Sequence, residues 1–154
     1  MRKRGIYGVN INVKVPFFDI DMMEVVWHGH YVKYLEEARC ALLDSLDYAY
    51  PAMQESGYSW PVIDLQLRYM QPATFGQRLT VRAELVEWEN RLKIHYLIQD
   101  AATGARLTRA SSTQVAVSIS TREMQLVSPP CLVQAIAKAL KAPGRSAKNT
   151  NDPI

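Results

Sequence analysis

Three acids, two histidines and a tryptophan share the thirteen residues Asp19-Ile20-Asp21-Met22-Met23-Glu24-Val25-Val26-Trp27-His28-Gly29-His30-Tyr31. Such residues can hold a metal, move protons, or simply begin a helix. His28 and His30 are two apart, so on a helix their side chains diverge. No third ligand stands at metal spacing, and no metal is expected. An acid just ahead of a helix has a different use. The first N–H groups of a helix lack intrahelical acceptors, and the positive end of its dipole attracts negative charge. An acyl oxygen held there is polarised towards an oxyanion, and a nearby carboxylate can attack the carbonyl or activate a water. Asp21 occupies that position, seven residues ahead of His28. The plainer role for such an acid is an N-cap worth about 1 kcal/mol, but seven residues is too far for a simple cap. On the residues alone, catalysis and a structural role both stay open. A serine nucleophile on a G-x-S-x-G elbow is not present. Ser111-Ser112-Thr113 reads as strand packing, with one hydroxyl able to line a pocket.

The helix that must position this chemistry begins near His28–His30. Tyr31, Tyr34, Leu35, Ala38, Ala41, Leu42, Ser45 and Leu46 fall on one stripe at three- and four-residue spacing. The stripe predicts roughly four turns, limited by Pro51. A second short turn over 52–56 ends at Gly57. Residues 7–15 alternate small or polar with apolar side chains, the period of a half-buried strand. Alternation returns over 62–69, 79–85 and 92–98, and 107–120 is the longest strand candidate. Short polar turns between consecutive strands predict antiparallel neighbours in a meander. Residues 129–140 predict a short helix opened by proline, and 143–154 a frayed tail after a domain over 1–142. The expected fold is α+β: a curved antiparallel sheet of about five strands wrapped around one long helix. Too few strands close a barrel, so open edges favour pairing with a second copy.

Composition narrows the partners. Apolar residues make up 48% and charged residues 21%, values of an ordinary globular domain. The net charge of +3 sits at the chain ends: residues 1–4 carry +3 and 141–154 carry +2, leaving −2 for the body. With no basic-aromatic stripe in the body, nucleic acid is not an expected partner. No apolar segment follows Met1-Arg2-Lys3-Arg4, and no run nears the ~20 apolar residues of a membrane span. Cys40 and Cys131 lie far apart without a CxxC and read as reduced thiols of a cytoplasmic protein.

Asp21, Val25-Val26-Trp27-His28, Tyr31, Tyr34, Glu36 and Arg39 together resemble the D-x-D-x-x-G-x-V-[YW]-[HY]-x-x-Y…E-x-x-R signature of the hotdog-fold acyl-CoA thioesterases. The similar branches are the 4-hydroxybenzoyl-CoA thioesterases and the Tol-Pal-associated acyl-CoA thioesterases. Tyr69, Pro72 and Gly76 match the Y-x-x-P-x-x-x-G turn of that family, and the resemblance spans roughly residues 10–128 in element order. It implies a hotdog domain that hydrolyses an acyl thioester without metal or redox cofactor. It also implies a homodimer or homotetramer with active sites between subunits. By position, Asp21 matches the catalytic carboxylate, and His28 the first-turn residue whose backbone N–H polarises the thioester carbonyl. Trp27, Tyr31, Met22, Met23, Tyr69 and Trp60 are the expected pocket lining. Glu36 and Arg39, three apart on a helix, can pair.

The sequence departs from the signature twice. Met22-Met23-Glu24 replaces a loop in which the family carries glycine at the position of Glu24. Glycine there permits tight backbone geometry, so the loop is expected to be rebuilt, with Glu24 a second acid near the site. After Glu87-Trp88 the benzoyl-CoA enzymes continue with basic residues that contact the CoA nucleotide. Here Glu89-Asn90 follows, and positive charge resumes only at Arg91 and Lys93. That leaves an acyl carrier protein, as well as acyl-CoA, open as the acyl donor. Two other readings remain: a hotdog dehydratase pairing His28 with Glu36 or Glu24, and a non-catalytic acyl-binding protein.

Overall fold

Period-2 alternation builds the sheet and the apolar stripe builds the helix that fills it. The computed structural model describes residues 5–141 and 149–150. The strands are β1 (Tyr7–Lys14), β2 (Tyr58–Ser59), β3 (Val62–Tyr69), β4 (Arg78–Glu87), β5 (Leu92–Asp100), β6 (Arg106–Gln114), β7 (Val117–Ser118) and β8 (Asn149–Thr150). The helices are α1 (Tyr31–Ser45), α2 (Tyr50–Ser56) and α3 (Pro130–Lys141), with 3-10 turns at Phe17–Asp19 and His28–His30. The main sheet runs β3-β6-β5-β4-β1-β8, and β2 pairs with β7 beside it. Pairing is antiparallel except for β8, which lies parallel to β1. The tail expected over 143–154 falls largely outside the described residues.

Leu79, Val81, Ala83 and Leu85 of β4 and Ile94 and Ile98 of β5 point inward and are fully buried. They meet Tyr31, Tyr34, Leu35, Ala38 and Leu42 on the buried face of α1, which packs on β1 and β4. Each fully buried Leu or Ile contributes about 1.5–3 kcal/mol. Buried phenols are satisfied: Tyr7 donates to Ser45 Oγ at 2.8 Å, and Tyr96 Oη and Ser112 Oγ lie 2.7 Å apart. This is the expected hotdog arrangement, a curved antiparallel sheet around one long helix. No described helix is long and apolar enough to cross a membrane.

Two expectations are corrected. The longest strand is β4, not 107–120, because β6 stops at Gln114 where the paired residues of both neighbours, Leu92 and Val62, also begin or end. The chain then turns away, and Val117–Ser118 pairs instead with β2. Nor does β3 meander into β4. It pairs with β6 at the far edge, so residues 70–77 must cross the end of the sheet. Pro72 has no N–H to offer a ladder, and Ala73 commits both its backbone groups to Val26 and Tyr31.

Candidate active site

The lead-in to α1 is a closed loop. Ile20 and Val26 form an antiparallel bridge, and the Asp21 N–H donates to Val25 O at 2.9 Å. Met22 and Met23 form the exposed tip. Glu24 donates its N–H to Asp21 O at 3.0 Å and has φ of 66°, in the left-handed region that favours glycine. Glu24 thus occupies a glycine-type conformation, held in it by the loop's hydrogen bonds. Glu24 is exposed, and among the described residues its carboxylate makes no hydrogen bond or ion pair. A left-handed non-glycine residue costs about 1–2 kcal/mol, and glycine's extra unfolded-state freedom about 0.5–1 kcal/mol. Glu24→Gly is accordingly expected to raise stability by about 0.5–1 kcal/mol. Urea denaturation measures this, and a loss of stability would show the turn to be unstrained.

Asp21 is half-buried at the base of the tip, and its Oδ1 accepts the Met23 N–H at 2.8 Å. One carboxylate oxygen thus anchors the loop, and among the described residues the other accepts no hydrogen bond. The acid that sequence reasoning passed over is Asp19. It is 1% exposed and accepts hydrogen bonds from Tyr34 Oη at 2.6 Å and Lys33 Nζ at 2.5 Å. His30 Nδ1 lies 3.9 Å away. Burial alone would push the Asp19 carboxyl up, but the bonds from Lys33 and Tyr34 outweigh it and hold the group below its ordinary value. Burial and the Asp19 charge push Tyr34 strongly upward. The signal in the sequence was Tyr34 itself, a phenol on the apolar stripe that needs a buried acceptor.

Backbone bonds fix the first turn of α1 against this loop. The Trp27 N–H donates to Asp19 O at 3.0 Å, Val26 N–H to Ala73 O at 2.9 Å, and His30 N–H to Trp27 O at 2.9 Å. The Ala73 N–H donates to Tyr31 Oη at 3.0 Å, so the crossing segment 70–77 clasps the helix start from below. Between the anchored amides, the N–H groups of His28 and Gly29 open the turn, where no intrahelical acceptor exists. Tyr69 Oη donates to His28 O at 2.6 Å. A Cβ at Gly29 would lie 2.1 Å from the Trp27 indole, so any other residue there would displace that exposed ring. That ring sits between His28 and His30, with centroid distances of 5.0 and 5.3 Å.

Asp21, Trp27, His28, Tyr31 and Tyr69 are therefore brought together. The Tyr31 and Tyr69 rings meet at 5.2 Å. Burial pushes the Tyr31 hydroxyl up, and the nearby Tyr69 and Asp21 add to the shift. Trp60 is not part of this cluster. It is buried beyond the C-terminal end of α1, where its Nε1 donates to Tyr48 Oη at 3.0 Å. A 15-residue helix, about 22 Å at 1.5 Å per residue, separates it from His28. Its indole N–H needed a buried acceptor, which Tyr48 supplies. Glu36 pairs with Arg39 on the next turn, and Arg91 Nε is held by Glu87 Oε2 at 3.2 Å.

A family profile described as the thioesterase-like superfamily matches residues 15–142. The chain is 26% identical over 106 residues to a putative acyl-CoA thioesterase, YneP, of Bacillus subtilis (strain 168), covering 68% of this chain and 76% of that protein. It is 29% identical over 129 residues to the putative esterase sll0410 of Synechocystis sp., covering 83% and 78%. Among solved structures, Slr0204, a 1,4-dihydroxy-2-naphthoyl-CoA thioesterase from Synechocystis, superposes with a TM-score of 0.75. It is 22% identical, over 84% of this chain and 96% of that one, and shares the fold.

Proposed function

We propose, given that this chain belongs to the thioesterase-like superfamily and is a thioester hydrolase, that Asp21 supplies the base or nucleophile and the first turn of α1 the oxyanion site. The observation that carries this reading is the pinned loop. It brings Asp21 back against Val25, within electrostatic reach of Tyr31 in the first turn of α1. One Asp21 oxygen is anchored by the Met23 N–H, while the N–H groups of His28 and Gly29 open the same turn. A thioester carbonyl oxygen seated on those amides develops negative charge against fixed donors. The carboxylate either takes a proton from the attacking water or attacks the carbonyl and is then released by water. In both routes the acyl C–S bond breaks and a C–O bond forms. The sulfur leaves as thiolate and is protonated by the proton that water lost. The donor is acyl-CoA, as named for the Bacillus relative, or an acyl carrier protein thioester. Pairing of Arg91 with Glu87 removes one cation that could have met a CoA phosphate.

Tyr69 fits this reading as a positioning residue. The His28 carbonyl and the Gly29 N–H belong to one planar trans peptide and point in opposite directions. By donating to His28 O, Tyr69 fixes where the Gly29 N–H points and polarises it. Tyr69→Phe is expected to lower kcat roughly 2–10-fold, the worth of one hydrogen bond, with KM nearly unchanged. A rise in KM at constant kcat would instead make Tyr69 a binding residue.

The cluster is open to solvent in a single chain, and β3 presents an unpaired edge carrying exposed Val62, Ile63 and Leu65. A second copy paired on this edge would cover both, which supports a homodimer, and a homotetramer would need a further interface elsewhere. The function is tested by thiol release from a panel of aliphatic and aromatic acyl-CoA and acyl-carrier-protein thioesters. Turnover on either carrier is expected. Tight acyl binding without turnover on any of them would overturn the reading.

A further inference from the structure

The face of the main sheet turned away from α1 holds a cavity of about 620 Å³, within the range of small-molecule sites. Arginines dominate it: Arg68 on β3, Arg82 on β4, and Arg106 and Arg109 on β6. Arg68 and Arg109 are register partners on adjacent strands, so like charges stand directly opposite, an unfavourable pairing for a sheet. The acid in the cavity, Glu84, is already engaged. Its Oε1 holds Arg82 Nε at 2.7 Å, and its Oε2 accepts the Gly5 N–H at 3.3 Å. Arg82 also donates to Asn10 Oδ1 at 3.1 Å. Among the described residues Arg68, Arg106 and Arg109 have no carboxylate partner, and Arg109 Nε is buried without an acceptor. A buried charged donor left unmatched is costly, so the chain presents a site whose acceptor comes from outside.

We propose that this outer sheet face binds a compact polyanion of the oligophosphate class, with Arg68, Arg106 and Arg109 as its ligands. Guanidinium forks match phosphate oxygens bidentately, and three of them on neighbouring strands suit several linked phosphates better than one carboxylate. Ser111 and His95 share the adjacent register row and offer further polar contacts. The site lies on the opposite side of the sheet from Asp21 and does not depend on the hydrolytic reading.

Inorganic tripolyphosphate, titrated calorimetrically into the full chain at low ionic strength, is the probe. Saturable binding is expected, weakened about tenfold or more by the Arg68→Gln/Arg109→Gln pair and by Arg106→Gln alone. Lys138→Gln, on the exposed face of α3, is expected to leave it unchanged. The single Arg106→Gln variant keeps the test decisive if the pair folds poorly. Competition then names the source: free CoA and a nucleoside triphosphate are each titrated against bound tripolyphosphate, and the one that displaces it is the class of ligand the face accepts. No binding, or equal affinity in the arginine variants, overturns the proposal. So does a loss of oligomer mass in light scattering with anion affinity unchanged, since the face would then be an interface between copies.

Discussion

Asp21→Asn is expected to lower kcat by about 10²–10⁴, the usual contribution of a positioned acid–base group, while leaving KM and thermal stability nearly unchanged. The asparagine amide oxygen can still accept the Met23 N–H that Asp21 Oδ1 accepts at 2.8 Å, so the loop keeps its shape. What disappears is the negative charge and the lone pair at the free oxygen, which both routes of hydrolysis need. Asp21→Ala loses the anchor as well and is expected to raise KM in addition, because the Met22–Met23 tip is no longer held. The contrast between the two variants separates chemistry from loop geometry. Single-turnover hydrolysis in heavy-oxygen water, with rapid quenching to look for acylated Asp21, then divides the routes. Label or an acyl group on the Asp21 carboxyl marks direct attack, and label only in the released acid with no acylated Asp21 marks a general base. Unchanged turnover in Asp21→Asn would remove Asp21 from the mechanism altogether.

That Asp21 precedes a helix start at His28 could be read from the sequence because the loop, the carboxylate and the helix start are contiguous. Their proposed catalytic roles came from the family resemblance, since local rules for helix termini leave a structural role equally open. Asp19 could not be found in that way. Its partners Lys33 and Tyr34 lie fourteen and fifteen residues later, and only the docked orientation of α1 brings them to it. Ala73 is similar: its bonds to Val26 and Tyr31 exist because β3 sits at the far edge of the sheet, which strand alternation cannot reveal. Trp60 was assigned by residue type alone. Aromatic character says nothing about which end of a helix a side chain reaches, and within this chain Trp60 lies beside Tyr48, away from the His28 turn. At Glu24 the sequence rule was sound but incomplete. Glycine is the low-cost residue for a left-handed turn, yet the bonds of Asp21 impose that turn on a glutamate. The periodic elements, by contrast, follow from side-chain alternation and helical spacing with little help from tertiary contacts.

Asp19→Ala is expected to destabilise the fold by about 2 kcal/mol and to lower kcat as well. The estimate rests on the two partners. The Tyr34 hydroxyl is buried, and an orphaned buried donor costs about 1–3 kcal/mol. Lys33 is half exposed, so its charge returns to water and adds little. Asp19→Asn, whose amide oxygen can still accept from Tyr34, is expected to cost about half as much. The pH dependence gives an independent signature. The folded Asp19 carboxyl is held below its ordinary value of 3.8, so the unfolded chain takes up the proton first. The stability it contributes is fully present above that value and is lost as pH falls through the lower, folded pKa. Urea midpoints measured from neutral pH into acid should therefore fall less steeply below about pH 4 in Asp19→Asn than in the unsubstituted protein. Activity should follow through the backbone, because Asp19 O accepts the Trp27 N–H immediately before the His28 turn. If Asp19→Asn lost its activity with both stability and acid sensitivity unchanged, Asp19 would be acting directly in the chemistry rather than holding the helix start in place.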